Sequence, residues 1–321
     1  MTDSTPNRPG QALGAGDVQA LMLDLFGGEV ITAFETATIL RDKHQTKTLA
    51  KGKSFRFPAI WRASGGYHTP GAEILGDEIE HSEIVVDPDD KLVASVFIAD
   101  IDELLNHYDV RSPYTTELGE FLARHYDANV LRTIIKASRG AALFTGDTGG
   151  TGIEDATFTT DAAALIDGFS SAKQAMDEKD VPVNSQPVHG MLKPAQWYLI
   201  ARSDKNLNRD TNGGDASIKK MTLTTIDDIM VHKSNIATEV FGADDSANAA
   251  IPAEYQAKFG TTVGAVWTPM AACSAMVQQP SFQIVDQPQK QGTLLISRMM
   301  VGTRQLRTKC AVELRTGAVP A

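Results

Sequence analysis

Only two cysteines occur in the 321-residue chain, Cys273 and Cys310, and neither has a CxxC or CxxH partner. That absence argues against a disulfide framework and leaves two buried free thiols in a reducing compartment as the expectation. No run of eighteen apolar residues exists, so no segment has the pattern of a membrane-spanning helix. Met1 to Gly16 is polar and rich in turn formers, with no basic patch leading into an apolar stretch. The expectation is a soluble protein without a secretion signal. Positive charge is also in deficit. A formal net charge of −10 argues against the whole molecule acting as a nucleic-acid clamp, because duplex binding is driven by phosphate neutralisation. The balance of 42% hydrophobic to 22% charged residues is that of an ordinary globular protein, with neither global disorder nor a fibrous repeat. The length suffices for one large domain or two to three modest ones.

Catalytic patterns are missing as well. The glycine-rich run Gly146-Asp147-Thr148-Gly149-Gly150-Thr151-Gly152 invites a phosphate-loop reading, but Ile153 and Glu154 stand where Lys and Ser/Thr are required. A loop between helices is the better account. His107, Asp109 and Asp102 lack a third ligand at helical spacing, and no G-x-S-x-G nucleophile motif is present. Asp87, Asp89 and Asp90 resemble half a calcium loop without its Gly and terminal Glu, and read as a solvated turn. No enzyme activity, cofactor or metal is therefore expected.

What the chain does have is segregated charge. Arg41 to Arg62 carries seven basic residues and one acid; Glu73 to Asp90 carries eight acids and no Lys or Arg. Two readings stand: a hairpin whose arms neutralise each other, or a head-to-tail contact between copies in which one basic stretch meets a neighbour's acidic one.

Hydrophobic spacing supplies the elements. Residues 1 to 16 read as a flexible arm, followed by short amphipathic segments from Asp17 and over Val30 to Leu40. Ser54 to Ile60 reads as a strand that Pro58 keeps out of a central position. Glu83 to Asp87 and Leu92 to Ile98 read as strands around the turn Asp87-Pro88-Asp89-Asp90, and residues 51 to 90 as a long two-stranded excursion. Ser112 and Pro113 open a long helix whose apolar face is Leu118, Phe121, Leu122, Tyr126, Val130, Leu131, Ile134 and Ile135, running to about Lys136. Asp161 caps a second helix with a stripe of Leu165, Ile166, Phe169, Ala172 and Met176, ended at Val181-Pro182. Val188 to Leu192 is a strand leading to a helix with Pro194 in its first turn. Ser203 to Ser217 reads as a surface loop, and 220 to 280 mixes elements that spacing does not resolve. Leu306, Thr308, Cys310, Val312 and Leu314 alternate with Arg307, Lys309 and Glu313, predicting a half-buried strand with a charged outer face. The class is α+β with discontinuous domains.

The run Asn106-His107-Tyr108-Asp109-Val110-Arg111-Ser112-Pro113-Tyr114-Thr115-Thr116-Glu117-Leu118-Gly119-Glu120 closely resembles major capsid proteins of T-seven-like podoviruses. Leu25-Phe26-Gly27-Gly28-Glu29-Val30-Ile31-Thr32-Ala33-Phe34 resembles the entry segment of that group. Gly52-Lys53-Ser54, Phe57-Pro58, Thr69-Pro70-Gly71, Val301-Gly302-Thr303 and Leu306-Arg307 follow in the same order. Agreement is good over about 17 to 140 and the last forty residues, and loose over 200 to 290.

The resemblance implies the Hong Kong 97 capsid fold: an N-terminal arm at 1–50, an extended β-hairpin loop at 51–90, a peripheral domain with a long spine helix at 91–180 and 286–321, and an axial domain at 181–285. It implies a virion protein assembled in the host bacterial cytoplasm, with no enzymatic role. Subunits would form hexamers and pentamers of an icosahedral head around double-stranded DNA, bound without sequence specificity and with no membrane. Implied partners are the chain itself, a scaffolding protein, a portal protein and decoration proteins. The shell is expected to expand on packaging, without the Lys–Asn crosslink that some capsids of this fold form. Within the loop, Phe55, Phe57, Ile60, Trp61 and Ile74 are candidate anchors on a neighbour. Lys51, Lys53 and Arg56, with Asp77, Glu78, Glu80 and Glu83, are the candidate charges that set register. A cellular nanocompartment shell of the same fold and a hydrolase using His107 and Asp109 are the competing readings.

Overall fold

The computed structural model describes residues 32–34, 37–49, 52–63, 65–68, 71, 73, 76, 78–101, 111–203 and 225–320. The expected arm and entry segment over 1–31, the His107 cluster and most of the 203–217 loop lie outside these residues. The chain forms two compact units, the first from Met1–Ile39, Asp90–Tyr126 and Gln278–Val301, the second from Leu40–Asp89, Asp127–Val277 and Gly302–Ala321.

In the first unit, strand β4 (Leu92–Ala99) pairs antiparallel with β11 (Gly292–Gln305), from Gly292 opposite Ala99 to Met299 opposite Leu92. Strand β10 (Ala272–Gln287), of which the part from Gln278 onward lies in this unit, turns into β11 through Pro288–Lys290, with Gln291 in the left-handed region. Ile98, Leu118 and Leu295 are buried together, with Val96, Phe282 and Ile284 packed around them. Leu118 comes from helix α1 (Arg111–Ser138), 28 residues and so about 42 Å long at 1.5 Å per residue.

Two details of that helix differ from expectation. Ser112 is not the N-cap: it lies in the first turn, its carbonyl accepting from the Thr115 and Thr116 hydroxyls at 2.8 and 3.1 Å. Pro113 is tolerated there because first-turn N–H groups have no helical partner to lose. Phe121 is 40% exposed beside the His125 ring, since the buried stripe steps by four through Leu118, Leu122 and Tyr126 and leaves it at the margin.

In the second unit, α1 continues with Val130, Leu131, Ile134 and Ile135 fully buried. Its six-stranded sheet has the order β5 (Thr151–Glu154), β12 (Ala311–Arg315), β9 (Thr262–Trp267), β6 (Val188–Leu192), β8 (Ile229–Lys233) and β7 (Thr225–Ile226). Helix α2 (Ala162–Asp177) starts where the Asp161 carboxylate accepts from the Ala163 N–H, and it buries Leu165, Phe169, Ala172 and Met176 as expected. Ile166 is only half-buried. Phe169 lies over Gly190 of β6, where a Cβ would stand 2.6 Å from its ring, so only glycine fits. Helix α3 (Pro194–Ala201) buries Trp197 and Ile200, and a short α4 (Ile236–Val240) follows β8.

The C-terminal expectation is overturned. Strand β11 stops at Gln305, Thr308–Cys310 form a 3-10 turn, and β12 is buried from Ala311 to Leu314 rather than charged on one face. The reason is that β12 lies between two strands and its charge is neutralised internally. Glu313 has no exposed surface; Arg139, just past the end of α1, grips it bidentately at 2.6 and 2.8 Å. Thr262 donates to the same carboxylate at 2.5 Å, and Arg139 also donates to the Lys258 carbonyl at 2.6 Å. Such a pair costs desolvation on both sides, and removing one partner leaves the other charge stranded.

Three histidines are held neutral in this unit. Burial pushes His44 down to about 4 despite its hydrogen bond to the Leu40 carbonyl. If Nδ1–H serves Leu40 at 2.7 Å, Nε2 is left to accept from Ser274 at 2.7 Å, the hydroxyl that also meets Thr303 at 3.0 Å. His189 and His232 are ring neighbours at 5.5 Å, both pushed down to about 4 by burial, with Lys43 nearby adding to the effect.

Glu313→Ala should lower unfolding free energy by about 3–5 kcal/mol, read from the urea midpoint at constant m. A protein of unchanged midpoint would contradict the assigned role of the pair. Because the three imidazoles bind protons more readily unfolded than folded, stability should fall as pH drops from about 6.5 to about 4. His189→Gln should flatten that slope; an unaltered slope would show that His189 is not held neutral.

Candidate assembly surface

Strands β2 (Phe55–Ile60) and β3 (His81–Val86) form an antiparallel hairpin, with Phe55 opposite Val86, Phe57 opposite Ile84 and Ala59 opposite Ser82. The excursion expected over 51–90 thus has a paired stem. Among the described residues strand β3 pairs only with β2, and β4 pairs with β11, so the two strands around the Asp87-Pro88 turn are not partners. Alternation sorts the stem into two faces. Phe55, Phe57 and Val86 pack on Cys273, Ala275, Leu49 and Leu306, while Arg56, Pro58, Ile60, His81, Glu83 and Val85 point outward. A two-stranded ribbon is marginal alone, and this inner face supplies its support.

Beneath the stem runs β1 (Gln45–Thr48), parallel to β10 with Gln45 opposite Cys273. It is an edge of the sheet β1-β10-β11-β4, and its Thr46, Lys47 and Thr48 side chains are exposed.

The candidate contact residues divide into three groups. Lys51, Ile74 and Asp77 lie outside the described residues. Phe55, Phe57 and Trp61 are engaged within the chain. The two Phe rings meet edge-on at 4.6 Å, and Trp61 stacks on Phe144 at 5.3 Å with Lys309 5.4 Å from its ring. Lys53, Glu78 and Glu80 are exposed, and Arg56 and Glu83 are an exposed pair at 2.5 Å across the hairpin. Pairs this open contribute about 0–1 kcal/mol, so Arg56 and Glu83 remain available to another surface. At the end of β2 Ile60 is 58% exposed, and beyond the stem Tyr67 is fully exposed.

One acid of the acidic run is largely withdrawn from solvent. Asp89 accepts from the Tyr255 hydroxyl and lies 3.6 Å from Arg304, which also pairs with Glu254. Burial and Asp89 together push the Tyr255 hydroxyl well above its usual range, and the Thr303 N–H donates to its oxygen at 2.9 Å. This clamp fixes the point where the hairpin rejoins the body. Sequence reading missed it because Tyr255 and Arg304 lie far along the chain, with no local signal.

The glycine run faces the opposite way from an anion loop. A Cβ at Gly150 would lie 2.2 Å from the Ser138 carbonyl oxygen, so the glycine is there to let the loop pass against the end of α1. Its carbonyls point at a cation: Lys179 donates to the Gly149 oxygen at 2.6 Å and to the Thr151 hydroxyl. Among the described residues, no group of three or more His, Cys, Asp or Glu could hold a metal, and no helix is long and apolar enough to cross a membrane.

A family model described as Gp10A-like major capsid protein matches residues 56–315. The major capsid protein of Escherichia phage T7 is 39% identical over 166 residues, which is 50% of this chain and 48% of that protein. The aligned stretch thus spans about half the length of that relative. The capsid structure of the cyanophage P-SCSP1u is similar over 98% of this chain and 99% of its own, at 32% identity and a TM-score of 0.79. The mature capsid of bacteriophage PhiM1 shares the fold over 88% of each chain, at a TM-score of 0.74 and 16% identity.

Proposed function

The chain belongs to the Gp10A-like family of major capsid proteins, and from that premise we propose that it is the subunit that tiles the icosahedral head of a tailed phage. The observation that carries the reading is the end-to-end likeness to a cyanophage capsid chain, with both chains covered almost completely. Residues 1–50 serve as an arm, 51–90 as the extended loop, 91–180 with 286–321 as the peripheral domain and 181–285 as the axial domain. Hexamers and pentamers close around double-stranded DNA with the help of scaffolding and portal proteins, in the cytoplasm of the host, and decoration proteins join the finished shell. A net charge of −10 favours this role, since a subunit that repels phosphate encloses a genome without adhering to it.

The hairpin stem is fixed to its own body by the Phe55–Phe57 face, by Trp61 and by the Asp89 clamp. Its outward side, with Lys53, Arg56, Glu78, Glu80 and Glu83, is what a neighbouring copy meets. Alternating basic and acidic zones set the register of that contact.

Expression with its genomic neighbours should give closed particles by electron microscopy and a void-volume peak on size exclusion. A persistent monomer would contradict the reading. Lys53→Glu combined with Arg56→Glu should abolish particles while leaving the urea midpoint within about 0.5 kcal/mol of the parent, as exposed substitutions do. Normal shells from that variant would contradict the charge-register role.

A further inference from the structure

The described part of the excursion offers one large apolar group with no support from its own chain. Tyr67 is fully exposed beside Gly65 and Gly66, and open space surrounds both glycines. An aromatic ring held in water on a small-residue segment gains only when a partner covers it.

The same unit contains a receptacle of matching chemistry. A cavity of about 220 Å³ opens between edge strand β1 and hairpin strand β2. Its floor is apolar, formed by Phe57, Ala59, Met270 and Leu306, and Lys47 and Arg307 stand exposed at its rim. A dry cavity of about 150 Å³ already accommodates a benzene ring, so this one has room for a phenol. Cations at the rim suit both the face and the hydroxyl of a tyrosine.

We propose that this groove is the receiving site for Tyr67 of a second copy of the chain. The inference rests on the shell-subunit reading and deepens it by naming the docking pocket. Charge complementarity selects that occupant. The exposed acids Glu73, Glu78 and Glu80 travel with Tyr67 in the excursion, and they meet Lys47 and Arg307 when the ring is seated. Tip and groove are different patches of one molecule, so each subunit gives one ring and receives one. That is the heterologous geometry that closes rings rather than isolated pairs. The ring would also fill space under the β2 stem, so docking at one subunit stiffens the hairpin it docks beneath.

The test uses assembled particles that keep Tyr67 and Lys47 and carry His68→Cys together with Thr46→Cys, exposed neighbours of the ring and of the rim, treated with a short bismaleimide. Both native thiols are buried and pushed up by burial, Cys273 to about 12, so they stay silent. Ladders of covalent multimers on denaturing gels are expected from the double variant and not from either single variant. Particles that form normally yet give no ladder would overturn the pocket assignment while leaving the shell reading intact; a parent chain that never forms particles would overturn the shell reading itself. As a second measurement, Tyr67→Ala should raise the subunit concentration needed for assembly by about ten-fold, as loss of a central aromatic contact does, and Tyr67→Phe should largely restore it. Equal assembly by Tyr67→Ala and the parent would refute the anchor.

Discussion

A guanidinium just past the end of a long helix and a carboxylate with no access to water hold the second unit together. Arg139 and Glu313 are 174 positions apart, and their bidentate pair ties the end of α1 to β12, the strand lodged between β5 and β9. Thr262 of β9 and the Lys258 carbonyl complete the hydrogen bonding, so both charges are satisfied in a place where either alone would be costly. The glycine run passes the same helix end, close enough that Gly150 tolerates no side chain, and carries the chain into β5. Helix end, loop and three strands thus meet around one ion pair.

From that fixed frame the hairpin is a projection with a bound stem and an open outer side. Its inner face rests on Cys273 and Ala275 of β10, its far corner on Phe144 through Trp61, and its return on the Asp89–Tyr255–Arg304 clamp. Among the described residues, these contacts lie at its base. Its described outward residues include the charges, Ile60 and the uncovered Tyr67, the groups assigned above to the proposed contact between copies. A structural family with an unspent surface of this kind fits a protein whose work is to join itself.

Much of this was legible in the residues. Helices α1 and α2 announced themselves because their apolar stripes persist over several turns, and β6 with the proline-led α3 followed from short, well-punctuated signals. Strand β12 misled because alternation of Val312 and Leu314 with Glu313 is the pattern of a half-exposed strand. Only a partner 174 residues away reveals that the glutamate is buried. Strands β10 and β11 escaped detection because each changes character along its length: Ala272–Met276 is buried throughout, and the rest of β10 is only partly covered. The basic and acidic stretches pointed correctly to a hairpin. The removal of Asp89 from the surface charge, and the anchoring of Trp61 on its own chain, depend on contacts with no trace in local spacing.

The most direct measurement of the central claim is an icosahedral reconstruction of purified particles at side-chain resolution. The account predicts a hairpin stem packed on its own subunit through Phe55 and Phe57, with the outer side of 61–80 covered by a neighbouring copy. A shell in which that segment touches only its own chain, and contacts between copies run elsewhere, would contradict it.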